Sequence, residues 1–258
     1  MQMHGPIVGG IERVENPDRE LFTGRYVAAA RPVILTGAFD GWPARRTWSP
    51  SALRERLGAI PVTFKEARGH LHPELDEDGT TAVRGRSTLA EYLDRVVAGD
   101  SRVYLTGDEM QIVRAGQINT ALAPLWTDFA LPPLFALHQL DSIGLWLSAA
   151  GVVSRLHFDA NGAHNLNAQV VGRKHVVLFP PSEAPYLYLY DAPESKARNF
   201  SRIDIDAVDG ALFPEFRQAH GFEGVLHEGE MLFLPAGWFH SFRHEGAWNA
   251  NVNFWWRD

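Results

Sequence analysis

The sequence predicts a mainly β protein, a β sandwich or barrel, carrying an α/β part at its N-terminus. Three observations predict it. From about Ser142 onward, short apolar segments alternate with turn residues, at 142–149, 152–159, 165–171, 174–179, 225–227, 230–234, 238–243 and 247–256. The first hundred residues instead mix capped helical patterns with short apolar strands. The composition is globular, with 258 residues, 45% hydrophobic and 21% charged, enough chain to bury a real core. The expected organisation is a single domain over 1–258. Residues 1–100 form its α/β part, and 101–258 a β core with a long insert at about 180–224.

The elements follow in order. Asn16-Pro17-Asp18 supplies a cap, a proline for the first helical position and an acidic first turn, predicting a helix to about Ala29. Pro32 to Leu35 reads as a strand ending at Gly37, Ser49-Pro50 opens a second helix, and Ile60 to Phe64 is another strand. Thr88 with Glu91 three residues on is a capping box for a helix to about Val97. Arg102 to Leu105 returns to strand, and the proline-bearing stretch 107–140 reads as short helices and loops. Within the insert, the Tyr186 to Tyr190 alternation fits an edge strand.

Composition also excludes. With no cysteine, disulfides, thiolate metal sites and cysteine nucleophiles are out, so any metal sits on His, Asp or Glu. No apolar run approaches the roughly 20 residues of a membrane span. A net charge of −7 argues against a nucleic-acid partner. Met1 to Gly10 lacks the pattern of a secretory signal, so a soluble, cytoplasmic protein is expected.

The chemistry concentrates in His157-Phe158-Asp159 and His240. On a strand His157 and Asp159 project to the same side, and a barrel can bring His240 beside them. Two imidazoles and a carboxylate on one face are the donor set of non-haem Fe(II) oxygenases, although an isolated His-x-Asp is more often surface polarity. Asn165, Asn167 and Gln169 share one strand face, as do Asn249, Asn251 and Asn253. These amides either face solvent or line a polar lumen. Lys174 is either a solvated hairpin corner or a fixed ammonium for a ligand carboxylate, with Ser154 and Tyr104 as possible helpers. Strict alternation sets Ser154 opposite His157, so sharing one site requires a bulge between them.

Taken together, Ser154 to Asp159, Asn165 to Lys174, Leu178 to Pro181, Gly229 to His240 and Val252 to Trp255 resemble the JmjC-type cupin hydroxylases. Arg31 to Leu35 and Gly41 to Ala44 extend the likeness over almost the whole chain. Its texture is most similar to the branch that hydroxylates asparagine in hypoxia-inducible factor, including Asp204-Ile205-Asp206. The Asp159 to Asn165 loop is longer here, with Asn161-Gly162 in it. The chain runs only two residues past Trp256, short of the helices through which several relatives dimerise.

The resemblance implies a double-stranded β-helix, or jelly roll, that uses Fe(II), 2-oxoglutarate and O2. It implies His157, Asp159 and His240 as iron ligands and Lys174 for the distal carboxylate of 2-oxoglutarate, assisted by Ser154 and Tyr104. Asn165 and Asn253 would lie near its metal-bound end. Arg155, His164 and Trp238 are candidates for substrate contact. The expected substrate is an amino-acid side chain in a protein or peptide, or a free amino acid or related small molecule. A histone-type demethylase fits less well, because no reader or zinc module accompanies the domain. The alternative is a non-catalytic cupin-type metal- or ligand-binding module. His70 and His72 are two apart but border an acidic, glycine-containing segment that reads as a loop. His138, His175, His220, His227 and His244 lack partners at convincing spacing, and all seven are expected to be surface or structural histidines.

Overall fold

A computed structural model describes residues 7–67, 83–191, 195 and 197–258. His70 and His72 lie outside these described residues. The strands are β1 (Ile7–Gly10), β2 (Arg13–Glu15), β3 (Val33–Thr36), β4 (Pro61–Glu66), β5 (Val83–Thr88), β6 (Val103–Leu105) and β7 (Gln111–Arg114). They continue with β8 (Gln117–Ile118), β9 (Leu140–Ala149), β10 (Val153–His157), β11 (His164–Phe179), β12 (Gly221–Leu226), β13 (Met231–Leu234) and β14 (Phe239–Trp256). The α-helices are α1 (Arg19–Phe22), α2 (Ala44–Thr47), α3 (Pro50–Leu57) and α4 (Leu89–Val97).

Two long antiparallel strands organise the fold. β11 and β14 pair from His164↔Trp256 to Phe179↔Phe239, with irregular register between Gln169 and Arg173. Beyond that bend the neighbours change. The first half of β11 pairs with β13 and the second with β12, while β14 pairs with β10 at its start and β9 at its end. One continuous ladder is thereby folded into two facing layers, the double-stranded β-helix of a jelly roll. Gly172 permits the bend: it adopts φ +79°, and a Cβ there would lie 2.4 Å from the Trp248 carbonyl oxygen.

The bend also switches which residues face inward. Asn165, Asn167 and Gln169 point into the lumen, whereas beyond it Lys174, Val176 and Leu178 do. The outward Val177 and Phe179 pack under the insert, against Leu187, Ile203, Phe213 and Phe216. The paired segments 165–171 and 174–179 are therefore one strand, as are 238–243 and 247–256.

The N-terminal part extends one layer. β13 continues through β3 to β2, and β9 through β6 to β4 and β5. Helix α4 has the expected capping box, with Thr88 and Glu91 exchanging backbone-to-side-chain hydrogen bonds. Its Leu89, Tyr92, Leu93 and Val96 bury one face at helical spacing. The buried Tyr92 hydroxyl donates to the Leu147 carbonyl and accepts from Leu105 N–H, tying α4 to β9 and β6.

Three expectations are corrected. The first helix is capped by Asp18, whose side chain accepts from Leu21 N–H, while Asn16 sits at φ 35° outside it. Asn16 takes the left-handed region, which asparagine tolerates better than most residues and which cannot open a right-handed helix. This helix reaches its end through a π-helical turn, Thr23–Val27. The stretch 107–140 contains the β7–β8 hairpin, turned through Ala115 and Gly116 at positive φ. Tyr186 to Tyr190 is no edge strand: a 3₁₀ turn covers Pro181–Tyr186, Tyr188 takes φ 48°, and Leu189 alone bridges Ser201.

Candidate metal centre

His157 and His240 are direct partners across the β10–β14 ladder, with ring centroids 4.3 Å apart. Asp159 follows β10, and its Oδ1 lies 3.9 Å from Nε2 of each histidine. One donor atom from each of the three residues falls within 4.8 Å of the others. Each imidazole is fixed from behind. His157 Nδ1 lies 2.6 Å from the Arg155 carbonyl oxygen, and His240 Nδ1 lies 3.1 Å from that of Trp238. A carbonyl only accepts, so both Nδ1 atoms carry a proton, and both Nε2 atoms are turned toward Asp159. Burial opposes ionisation of Asp159. The His240 and His157 imidazoles, with N–H donors from Trp255 and Asn165, outweigh it and hold the carboxyl below its ordinary range.

The required bulge exists. Register in the β10–β14 pair shifts between Ser154 and His157, so both side chains line one cavity of about 260 Å³. The amides are buried, not solvated: Asn165, Asn167, Asn251 and Asn253 line this cavity, while Gln169 Nε2 donates to Asn249 Oδ1 outside its lining. Lys174 is 1% exposed. Its Nζ donates to Asn251 Oδ1 at 2.6 Å and sits 5.1 Å from the Phe242 ring centroid. No carboxylate among the described residues pairs with it. Burial alone pushes its pKa down to about 7. Tyr104 and Ser154 line the same cavity.

Behind Lys174, across the ladder, His244 bonds through Nδ1 to Ser148 Oγ, while its buried Nε2 finds no partner. Burial and then the Lys174 charge hold this imidazole well below its usual pKa. It is a buried neutral histidine. His138, His175, His220 and His227 belong to no three-donor cluster among the described residues.

Three candidate substrate residues lie elsewhere. Arg155, on the far side of the bulge from the lumen, donates to the Ser201 and Arg202 carbonyls and so anchors the insert. His164 accepts from Ala236 N–H through Nδ1 and faces Asp258 through Nε2, with its ring against Phe233 and Trp256. Trp238 packs on Phe222 in the apolar cluster that also holds Val176 and Leu178. None of the three lines the cavity.

The cavity wall includes residues that the sequence reading did not assign. Thr106 is buried with an unpartnered hydroxyl, and its signal is alternation from Tyr104. Phe200, from the insert, stacks on His157 at 4.7 Å. Trp146 packs over Gly107 and Gly144, where a Cβ would come within 2.0 and 2.8 Å of its ring. Asp108 is exposed at the rim without an ion-pair partner among the described residues.

A two-layered β-helix with an open His-Asp-His triad in its lumen defines the JmjC type of cupin. The chain belongs to the cupin-like domain family, whose model matches residues 19–258. It is 28% identical over 254 residues to lysine-specific demethylase 8 of Xenopus tropicalis, covering 95% of this chain and 52% of that protein. Against lysine-specific demethylase JMJ30 of Arabidopsis thaliana it is 28% identical over 249 residues, covering 95% and 54%. With tRNA wybutosine-synthesizing protein 5 of Danio rerio the identity is 30% over 263 residues, covering 95% and 76%. The chain thus spans about half the length of the two demethylases. No helix among the described residues is long and apolar enough to cross a membrane.

Proposed function

We propose that this protein is an Fe(II)- and 2-oxoglutarate-dependent dioxygenase that hydroxylates an amino-acid side chain of a protein or peptide, or a related small molecule. The observation that carries this reading is one cavity with a three-donor triad in its wall and a buried lysine that pairs with no carboxylate among the described residues. The residues fit the implied groups. The donor set suits iron with positions left open. The unpartnered Asn165 and Asn167 carbonyl oxygens and the Thr106 hydroxyl offer polar partners to a ligand in the cavity.

His157, Asp159 and His240 would hold the iron. Lys174 would hold the distal carboxylate of 2-oxoglutarate, with Ser154 and Tyr104 beside it and Asn165 and Asn253 toward the metal. When bound, the pair supplies with O2 an oxidant able to attack an unactivated C–H bond, releasing succinate and carbon dioxide. The chain itself fixes the histidine tautomers, orients the carboxylate and walls the site with Phe200, Trp146 and Trp255.

The exposed Asp108 carboxylate in the cavity wall, with the indole of Trp146 in the same wall, offers a contact for a cationic substrate side chain, against the like charge of Lys65, which lines the cavity too. The lysine-specific names of two relatives agree with that chemistry. Attack on an N-methyl carbon, the first step of demethylation, is the same reaction at another atom. The tRNA substrate named for the third relative would need a basic approach surface. Here the net charge is −7, and arginines such as Arg84, Arg95, Arg102 and Arg257 are engaged by carboxylates.

Succinate formation from 2-oxoglutarate and Fe(II), measured over a panel of peptides and amino acids, tests the reading. Wild type should turn over and His157→Ala should not. If both are inert across the panel, the non-catalytic binding module is the better description. Mass spectrometry separates a retained oxygen atom from a lost methyl group.

A further inference from the structure

The two oxygens of Asp159 are treated unequally. Oδ2 accepts two hydrogen bonds, from Trp255 Nε1 at 3.0 Å and Asn165 Nδ2 at 3.1 Å. Oδ1 accepts neither of them and faces both histidine Nε2 atoms at equal distance. The donors are not neighbours in sequence. Asn165 and Trp255 are direct partners across the β11–β14 ladder, so the sheet itself delivers two N–H groups to one oxygen.

The indole is held in turn. Trp255 is 7% exposed and packs against Trp146 at 5.0 Å, which rests in the slot over Gly107 and Gly144. A carboxylate oxygen already accepting two N–H bonds has little lone-pair density left for a cation. A two-oxygen carboxylate would occupy an additional coordination position that a bidentate co-substrate and oxygen need.

We propose that Trp255 and Asn165 are positioning residues that restrict Asp159 to one-oxygen ligation through Oδ1, thereby keeping the opposite side of the metal open. This rests on the reading of the triad as a metal site. Partners behind a ligand of this kind change metal affinity about 10- to 100-fold when removed.

The test uses Co(II) as probe on the metal-free protein without co-substrate, read by titration and by the visible ligand-field spectrum. Trp255→Phe keeps the ring and deletes the N–H. Asn165→Ala deletes the other donor from outside the tryptophan cluster, and serves if the first variant does not fold. The expected result is weaker Co(II) binding by about tenfold or more in either variant. It should come with an altered spectrum and thermal melting of the metal-free protein close to wild type. Unchanged affinity and spectrum in a folded variant overturn the proposal while leaving the metal site intact. If wild type and His157→Ala bind Co(II) equally, the triad reading fails, and the proposal with it.

Discussion

Lys174 and Asn251 meet inside the cavity, the ammonium nitrogen 2.6 Å from the amide oxygen, and the amide is no counterion. A cation at 1% exposure with only a neutral acceptor is costly to bury. A ligand carboxylate entering the cavity would relieve that cost, which is the basis for the proposed acidic co-substrate.

Replacing the ammonium should therefore damage co-substrate binding and spare the metal. Lys174→Met is expected to weaken 2-oxoglutarate binding by ~2–5 kcal/mol, at least about 30-fold, the usual cost of breaking a buried charge pair. Calorimetry on the Co(II)-loaded protein measures it. Equal loss of Co(II) affinity would show that Lys174 serves the fold rather than the ligand.

The same lysine predicts a pH dependence. Its pKa falls from 10.5 to about 7 on burial, so between those values the unfolded chain binds more protons than the folded one. Stability of the empty protein should then rise with pH from about 7 toward 10.5, by up to ~1.4 kcal/mol per pH unit from this group. A bound carboxylate restores the charge, so 2-oxoglutarate should bind with proton uptake, and more weakly as pH climbs above 7. Differential melting of wild type and Lys174→Met at pH 7 and 9, with calorimetry in buffers of different ionisation enthalpy, checks both signs. Parallel pH profiles for the two proteins would refute the assignment.

At the rim, Asp108→Asn should raise KM selectively for cationic substrates. An exposed charge contact of ~1 kcal/mol corresponds to about fivefold. Lysine- or arginine-bearing peptides compared with norleucine analogues provide the measurement. A KM increase shared by both sets would remove Asp108 from substrate recognition.

Arg155 should behave as a structural residue. Its guanidinium holds the Ser201 and Arg202 carbonyls, so Arg155→Ala is expected to cost about 1–3 kcal/mol of stability and to expose the insert to proteases. Denaturant melts and limited proteolysis read this directly. An intact melt with a raised substrate KM would return Arg155 to the site.

The triad, Lys174 and the amide faces were legible because each is a local pattern. Alternation along a strand tells which side chains travel together, whichever way the strand is later turned. What alternation cannot tell is where it stops. Asn165, Asn167 and Gln169 are odd-numbered and Lys174 even, and only the bend around Gly172 puts all four inside. The same limit misplaced Arg155 with His157, because the bulge between Ser154 and His157 breaks the alternation that linked them. His164 adjoins Asn165 on β11 and so faces the opposite way, whereas Trp238 lies two residues before His240, ahead of β14, and packs on Phe222. Trp255 closes the last of the sequence motifs. Its role toward Asp159 depends on cross-strand register with Asn165, which no single segment encodes.

The bulge in β10 also fixes how the protein tolerates length changes. Arg155 and Leu156 together span the shift between Ser154 and His157. Losing either one would set Ser154 and His157 two apart, where simple alternation already puts both on one face. Substitutions leave the bulge in place, whereas a single deletion removes it and still keeps the two side chains together. What would divide the cavity is straightening the strand at its present length, so the bulge and the three-residue spacing are expected to be kept or lost as a pair.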